Sequence, residues 1–274
     1  MQKYIKEQCG IQITLDRAYL IESRLSKLLS ELGLRNYFEL YRMVCADRVV
    51  GEVVEKVIDE ITTNETQWFR DKILWEIIEN ILLPVYIREI RGRNRTKVRI
   101  WSAACSTGQE PYSTAMCIDN YLYRNKINDI KLAHFEILAT DISQAALQVA
   151  KTGKYDSISV QRGMDDTYKL RYLKQLDRTW IIDEKIKKAV QFHQFNLLKS
   201  FLLLGNFDVI LCRYVTIYFF EELKKEVLGK MASALNSGGV LFLGNSEIFS
   251  DYKENFLMEE YMGGVYYRIK KNSR

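Results

Sequence analysis

Two acidic residues, one at a helix start that follows a strand and one at the end of the next strand, are the strongest chemical signal in this sequence. Residues 100–113 read IWSAACSTGQEPYS, a pattern typical of a buried strand that turns through small residues into a helix. Gly108 lies in the turn, and Pro111 suits the first turn of the helix. A turn of this kind brings the backbone close to a ligand at the helix N-terminus. Glu110 lies at that helix start, where a carboxylate repels phosphate but can bind an ammonium group or hydroxyl groups.

The second acid, Asp141, ends the strand pattern FEILATD at residues 135–141. An acid at the end of the second strand of a doubly wound sheet can hydrogen-bond ribose hydroxyls. Asp141 follows the first turn by about 30 residues, the length of one strand–helix–strand unit. Its alternative role is only to cap the helix that begins near Ser143. Because the dinucleotide pattern GxGxxG is also absent from the first turn, the two acids favour S-adenosylmethionine (SAM), with its product S-adenosylhomocysteine (SAH), over a pyrophosphate.

Several short blocks, spread along the chain, match one known family in order. Residues 62–71, TTNETQWFRD, are similar to an NETxFFR segment, and residues 102–113 are similar to a SAM-binding turn. Later blocks are ATDIS at 139–143, FNLL at 195–198, CRYVTIYF at 212–219 and GNSE at 244–247. Together they resemble the chemotaxis receptor glutamate methyltransferases (the CheR family). The resemblance covers nearly the whole chain, from residue 15 to residue 267.

The resemblance implies a SAM-dependent O-methyltransferase that forms glutamate methyl esters on the cytoplasmic helices of methyl-accepting chemotaxis receptors. A glutamate carboxylate, with a reference pKa of about 4.3, is ionised at neutral pH and needs no strong base. It needs placement in line with the departing sulfur. Arg70 is the candidate clamp, because the planar fork of arginine binds carboxylates. Tyr218 is the candidate for a second catalytic contact. The structural alternatives are that Arg70 pairs with Asp71 and that Tyr218 packs beneath the following helix.

The resemblance also implies contacts to the cofactor from a set of residues in the matching blocks: Asn64, Thr66, Arg70, Arg213 and Tyr214, with Asn196 and Leu197 at the adenine. Tyr214 departs from the family, which usually has Asn directly after this Arg. Its phenol removes one donor and adds bulk, so SAM could bind weakly, or Tyr214 could point away or stack. Two alternatives stay open: a SAM-sensing or receptor-docking module with reduced or lost activity, and a methyltransferase of the same fold with another acceptor.

Composition narrows the class of protein. The chain has 274 residues, 47% of them hydrophobic, enough for one large or two modest domains. Its net charge of +5 is weaker than nucleic-acid binding usually requires. The five cysteines form no CxxC pair and the two histidines stand apart, which argues against a metal site. There is no apolar run of membrane-spanning length and no secretory signal, so we expect a cytoplasmic protein, and a monomer.

Hydrophobic periodicity divides the chain into three predicted parts. Residues 1–71 predict an all-helical N-terminal domain, and residues 72–97 predict a linking helix, interrupted at Pro84, with a connector. From 98 to 274, strands and helices alternate, which predicts an α/β fold with a mostly parallel sheet, the Rossmann-like fold of SAM-dependent methyltransferases. The expected strands are 98–102, 135–139, 190–192, 207–211 and 240–243. The pair Gly263 and Gly264 predicts an antiparallel hairpin at one edge.

Residues 153–188 break this alternation, and the resemblance implies a small antiparallel subdomain inserted there. Family members that tether to a receptor's C-terminal peptide carry a glycine-containing loop in that subdomain. Residues 174–181, KQLDRTWI, contain no glycine, which predicts an enzyme that works without the tether. Arg17, Arg24 and Lys27 lie along one flank of the first amphipathic helix, where they form either a docking surface for a receptor helix or an ordinary solvated face.

Overall fold

The computed structural model describes residues 1–46, 51–247 and 254–270, and helices build its N-terminal part. They are α1 (Gln2–Cys9), α2 (Tyr19–Glu31), α3 (Tyr37–Ala46) and α4 (Glu52–Ile61). Their apolar faces share a buried core that includes Leu25, Leu28 and Leu40, because residues three and four apart lie on one face of a helix. The periodicity predicts α2, α3 and α4 but not α1, which ends at Gly10 with a positive φ of 74°.

The linking helix is interrupted just before Pro84. It begins as α5 (Lys72–Ile77), widens into a π-helical turn (Ile78–Leu82) and continues as α6 (Leu83–Arg91). Proline has no N–H to donate, and its ring crowds the carbonyl group one turn earlier. The wider turn relieves that crowding, so the interruption predicted from the sequence takes the form of a π turn.

Seven strands form the main sheet, and three shorter ones, β3 to β5, form a second sheet described below. The seven are β1 (Val98–Ala103), β2 (Phe135–Asp141), β6 (Val190–Gln194), β7 (Phe207–Leu211), β8 (Leu235–Phe242), β9 (Phe256–Tyr261) and β10 (Gly264–Ile269). Their spatial order is β6-β2-β1-β7-β8-β10-β9. The first five in this order run parallel, and β10 is antiparallel to β8 and β9. This confirms the predicted fold class and its antiparallel edge.

Three helices follow strands of the main sheet: α7 (Gln109–Arg124) after β1, α8 (Gln144–Thr152) after β2 and α12 (Glu221–Ala234) after β7. From β1 the chain moves to β2 on one side and later returns to β7 on the other. The strand order therefore reverses at β1. In open α/β sheets, ligands bind outside the carboxyl ends of the strands at such a point.

The second sheet is antiparallel and lies between β2 and β6 in the sequence. Its strands are β3 (Lys154–Asp156), β4 (Leu173–Leu176) and β5 (Thr179–Ile182), accompanied by the short helices α9 (Ser157–Gln161), α10 (Asp166–Tyr172) and α11 (Glu184–Lys188). Trp68, which is fully buried, attaches this insert to the segment before α5. Its backbone N–H donates to the Arg162 carbonyl at 3.0 Å and its indole donates to the Ser159 carbonyl at 3.1 Å.

The predicted domain boundaries at residues 71 and 97 stay predictions. The predicted ranges 1–71 and 98–274 also include residues 47–50, 248–253 and 271–274, which lie outside the described residues. Among the helices that the structure describes, none combines the length and the apolar character that crossing a membrane requires.

Candidate active site

A cleft of about 1020 Å³, its open mouth included, lies at the carboxyl ends of β1, β2 and β7. Its volume reaches the upper end of the range usual for small-molecule sites, roughly 300–1,000 Å³. The sequence-predicted site residues line this cleft, with the exception of Gly108; they are Asn64, Thr66, Arg70, Glu110, Asp141, Asn196, Leu197, Arg213, Tyr214 and Tyr218. Segments far apart in the sequence thus meet in one place, while the roles of these residues toward a ligand stay predictions.

Gly108 shapes the turn from behind the cleft instead of lining it. It begins α7 with a φ of 94°. A Cβ atom at this position would lie 2.9 Å from the Ala150 side chain and 3.1 Å from the Tyr155 hydroxyl. Glycine is therefore required for the turn itself and for the close approach of α8. The contact with the cofactor that the sequence predicts for Gly108 stays a prediction beside this packing role.

An ion pair between Glu110 and Arg213 lies at the base of the cleft. Arg213 Nη1 donates to Glu110 Oε2 at 2.8 Å, and Glu110 Oε1 accepts from the Ser102 hydroxyl at 2.7 Å. Only 2% of the Arg213 side chain is exposed. Burial alone would lower the pKa of Arg213, but the carboxylates of Glu110 and Asp71 raise it above its ordinary value. The arginine therefore stays charged, and Glu110 keeps about half of its roughly four acceptor positions for a ligand.

Asp141 ties together the two turns that follow β1 and β2. Its carboxylate accepts from the backbone N–H groups of Ser106 at 2.7 Å and Ser143 at 2.8 Å. The side chain that caps α8 is that of Ser143, which accepts from the Ala146 N–H at 3.1 Å. Burial raises the pKa of Asp141 in spite of its hydrogen bonds, which lower it. With a third backbone bond from Ile142, about one acceptor position of the carboxylate is left for a ribose hydroxyl.

Arg70 is fixed at the cleft by its backbone and by an aromatic ring. Its carbonyl accepts from the Trp75 indole at 3.2 Å and from Arg213 Nη2 at 2.7 Å. Its guanidinium carbon lies 3.3 Å from the centre of the Tyr214 ring. The pairing of Arg70 with Asp71 that the sequence left open is not formed, because Asp71 pairs with Arg213 at 2.6 Å. Within the described part of the chain no acid forms an ion pair with Arg70, so its fork is available to a ligand.

Tyr214 and Tyr218 lie on the wall of the cleft that follows β7. The Tyr214 hydroxyl donates to the Asp71 carboxylate, whose oxygens are 2.8 and 3.0 Å away. Burial, and then the neighbouring Asp71, raise the pKa of the Tyr214 phenol. Tyr218 ends a 3₁₀ turn (Thr216–Tyr218), and its carbonyl accepts from the Gln12 N–H at 2.9 Å. The motif that contains Tyr214 does not predict its hydrogen bond with Asp71.

Glu247, in the GNSE block, locks the loop that carries Arg213 and Tyr214. Its buried carboxylate accepts from four backbone N–H groups: Tyr214 at 2.6 Å, Val215 at 3.0 Å, Thr216 at 2.8 Å and Gly244 at 2.7 Å. It accepts a further bond from the Thr216 hydroxyl at 2.8 Å. A carboxylate with this many donors fixes the loop backbone firmly.

Several non-glycine residues around the cleft have positive φ angles, which side chains other than glycine adopt at a cost. They are Phe69 at 45°, Asp71 at 60°, Ala104 at 57°, Ser106 at 51° and Tyr214 at 59°. Backbone strain of this kind costs about 1–3 kcal/mol per residue and persists only where the surroundings enforce it. Here the hydrogen bonds that the Ser106 and Tyr214 N–H groups donate to Asp141 and Glu247 supply that constraint.

The segment after α1 forms a wall of the cleft that the sequence motifs do not predict. Cys9 and Ile11 line the cleft, and Ile11 forms an isolated antiparallel bridge with Phe219. The helical spacing of Ile5 and Cys9, followed by a glycine, is the sequence signal that would have predicted α1. That the helix reaches the cleft depends on tertiary packing.

Asn196 holds this wall in place. Its amide nitrogen donates to the Gln8 carbonyl at 2.7 Å, and its Oδ1 accepts from the Leu198 N–H at 2.9 Å. These bonds use one of the two amide N–H groups and one acceptor position of the oxygen, and the contact with adenine that the resemblance implies stays a prediction. The neighbouring Leu197 is buried and lines the cleft together with Phe195, so apolar surface for an adenine ring is present.

The basic flank of α2 is only partly available to a partner. Arg24 donates to the Ile61 carbonyl and, at 2.9 Å, to the Thr63 hydroxyl. Lys27 lies 3.5 Å from Glu31 on the same helix. Arg24 therefore connects α2 to the end of α4, which is a structural role.

The donors and acceptors of the cleft fit SAM. Arg213 Nε, in a side chain that lines the cleft, is the buried side-chain nitrogen that lacks a hydrogen-bond partner among the described residues, and it suits the carboxylate of the cofactor. Glu110 and Asp141 have acceptor positions left for an ammonium group and for a ribose hydroxyl. Leu197 offers an apolar surface to the adenine.

This fit, at the point where the order of a doubly wound sheet reverses, defines the class of protein: the chain is a SAM-dependent methyltransferase. The family model for the CheR methyltransferase SAM binding domain matches residues 64–263, and that for the CheR methyltransferase all-alpha domain matches residues 1–62. The chain belongs to the CheR methyltransferase family, as the ordered motifs predict.

Curated relatives match over nearly their full length. The chain is 38% identical to "Chemotaxis protein methyltransferase Cher2" of Pseudomonas putida, covering 97% of this chain and 95% of the relative. It is also 38% identical to "Chemotaxis protein methyltransferase" of Vibrio parahaemolyticus, covering 98% and 94%. A crystal structure of the DszA carbon methyltransferase is 19% identical with a TM-score of 0.40, covering 63% of this chain and 35% of that one; a likeness this distant says nothing about the substrate.

Proposed function

We propose that this chain is a protein-glutamate O-methyltransferase that forms methyl esters on the cytoplasmic helices of chemotaxis receptors. The proposal rests on the position of Arg70 in the cleft and on the availability of its guanidinium to a ligand. Its guanidinium lines the SAM cleft, it rests on the ring of Tyr214, and no acid of the described chain pairs with it. A free, oriented arginine fork is the group that a carboxylate substrate needs. The relatives named as chemotaxis protein methyltransferases point to receptors as the source of that carboxylate.

The residues of the cleft have few tasks in this reaction. Bound SAM supplies a methyl group activated by its sulfonium. No residue needs to remove a proton, because the glutamate, with a reference pKa of about 4.3, is already ionised. Arg70 would hold the carboxylate in line and leave an oxygen lone pair free to attack. Tyr218 would donate its hydroxyl to the same carboxylate or lie against the methyl group. Trp75 and Phe219, which also line the cleft, would help to exclude water.

Recognition of the receptor would not depend on a C-terminal peptide tether. In the insert, β4 and β5 are joined by a tight turn, with Asp177 at a φ of 53° and no glycine. The glycine-containing loop that the resemblance implies for tethering members is not matched by residues 174–181. We place the enzyme in the reducing cytosol, where its five cysteines would remain thiols.

The test is methyl transfer from tritiated SAM to purified receptor cytoplasmic fragments, with base-labile methanol as the readout. One fragment carries its C-terminal peptide, a second lacks it, and a third has its candidate glutamates replaced by alanine. We expect equal label in the first two and none in the third. SAH binding in calorimetry without any methyl ester would instead support a SAM-sensing module. Label that depends on the C-terminal peptide would contradict tether independence.

A further inference from the structure

We propose that Tyr214 is a positioning residue that keeps the Arg70 fork free and aimed into the cleft. This inference rests on the proposed function, because it concerns the clamp for the substrate carboxylate. The position is unusual on two grounds. The family pattern has asparagine there, and Tyr214 adopts a φ of 59°, a left-handed conformation that asparagine tolerates better than a bulky aromatic residue. A strained residue that replaces an unstrained one must be held by specific contacts.

The first contact is the stack beneath Arg70. The guanidinium carbon of Arg70 lies 3.3 Å from the centre of the Tyr214 ring, well inside the distance at which a cation and an aromatic face attract each other. The ring is only partly buried, and it borders the same cleft as Arg70. The ring supports the guanidinium from one side, and among the described residues no acceptor occupies its N–H groups. An asparagine at this position has no ring to supply that support.

The second contact removes a competitor. Asp71 follows Arg70 directly and would be its natural ion-pair partner. Its carboxylate instead accepts from the Tyr214 hydroxyl, with oxygens at 2.8 and 3.0 Å, and from Arg213 Nη2 at 2.6 Å. Arg213 Nη2 also donates to the Arg70 carbonyl at 2.7 Å. The four residues thus form a closed ring of contacts in which Tyr214 supports one side of Arg70 and helps to occupy Asp71.

A double-mutant cycle tests whether Tyr214 acts through Arg70. We expect Tyr214→Leu to lower kcat for receptor methylation about 3- to 30-fold, the range of a cation–π contact of about 0.7–2 kcal/mol. SAH affinity in calorimetry should stay within about twofold for Tyr214→Leu and for Tyr214→Asn, since neither variant alters the open donor and acceptor positions of Arg213, Glu110 and Asp141. In the Arg70→Ala background, Tyr214→Leu should cost nothing further, because the group it positions is gone. Tyr214→Phe, which keeps the ring and loses the Asp71 bond, should fall between.

A second arginine–tyrosine stack provides the matched control. Arg171 lies 3.6 Å over the ring of Tyr123 on the protein surface, outside the cleft. Tyr123→Leu should leave methyl transfer unchanged. Losses from Tyr214→Leu that are equal with and without Arg70, or a loss that appears entirely in SAH affinity, would overturn the positioning role alone. The proposed function fails as well if the unsubstituted protein forms no methyl ester. It also fails if Arg70→Ala transfers methyl groups as fast as the unsubstituted protein.

Discussion

Asp141 offers the most direct test of how the cleft binds its cofactor. Of about four acceptor positions, the carboxylate uses three for the backbone N–H groups of Ser106, Ile142 and Ser143, which leaves one for a ribose hydroxyl. A hydrogen bond to a charged group contributes about 1.5–3 kcal/mol. Because water refills part of the space left by the side chain, we expect Asp141→Ala to weaken SAH binding by about 1–3 kcal/mol, or roughly 5- to 150-fold, in calorimetry.

The effect on the ribose can be separated from the effect on the turns. An SAH analogue with 2′-deoxyribose should bind more weakly to the unsubstituted protein, while Asp141→Ala should distinguish it less from SAH. Asp156→Ala is the matched control, because Asp156 also accepts a backbone bond, from Ser159 at 2.6 Å, but lies outside the cleft. It should lose about 1 kcal/mol of stability with unchanged SAH affinity. If Asp141→Ala binds SAH normally, or weakens both ligands equally, the ribose assignment is wrong.

The difference in stability between the unsubstituted protein and Asp141→Ala should change with pH in a defined direction. Burial raises the pKa of Asp141 above its ordinary value of 3.8. A raised folded-state pKa means that the stability contributed by the group is present below its unfolded pKa and is lost as pH rises through the folded pKa. The difference in melting temperature between the unsubstituted protein and Asp141→Ala should therefore shrink between about pH 4 and pH 7. A difference that grows over this interval would contradict the direction of the shift.

Three further predictions follow from contacts described above. Arg70→Ala should raise the barrier to methyl transfer by about 2–4 kcal/mol, roughly 30- to 1,000-fold in rate, while SAH binding and the melting temperature stay nearly normal. Arg70→Lys should restore the rate only partly. A normal rate in Arg70→Ala would show that Arg70 does not hold the substrate carboxylate. Glu247→Gln should cost about 2–4 kcal/mol of stability, because an amide donor would then face buried N–H groups. The melting temperature should fall by roughly 4–16 °C, and an unchanged melting curve would show that Glu247 does not stabilise the loop. Gly163→Ala should slow methyl transfer by displacing the segment before Arg70, because its Cβ would lie 2.1 Å from the Trp68 carbonyl oxygen, whereas Gly238→Ala, with a similar φ but open space around it, should not.

The sequence predicts the sheet well because its signals are local. The buried strands are largely apolar, as in 207–211, where Asp208 is the one charged residue, and the Gly263 and Gly264 pair predicts the edge hairpin. Pro84 predicts the interruption of the linking helix. Signals of this kind depend on residues a few positions apart, so tertiary packing seldom alters the secondary structure that they predict.

The sequence motifs predict which residues lie at the cleft, but they do not predict the contacts among those residues. Asn196 reaches Gln8, and Tyr214 reaches Asp71, across separations that no periodicity encodes. The motif therefore predicts that Asn196 lies at the cofactor site but cannot show that its amide is already bonded to the protein. Gly108 is a second case: the motif predicts a turn at a ligand, but it does not predict the close approach of Ala150 behind that turn.

The left-handed residues around the cleft have a consequence for variation of this protein. Glycine would relax the backbone at Ala104 and Ser106, since it adopts positive φ at no steric cost. A selection for heat resistance alone would accumulate glycine at these positions, and each such variant would loosen the walls that hold the two substrates in register. Heat resistance and catalysis are therefore opposed within this small set of residues. Elsewhere in the fold, stabilising substitutions can accumulate without that conflict.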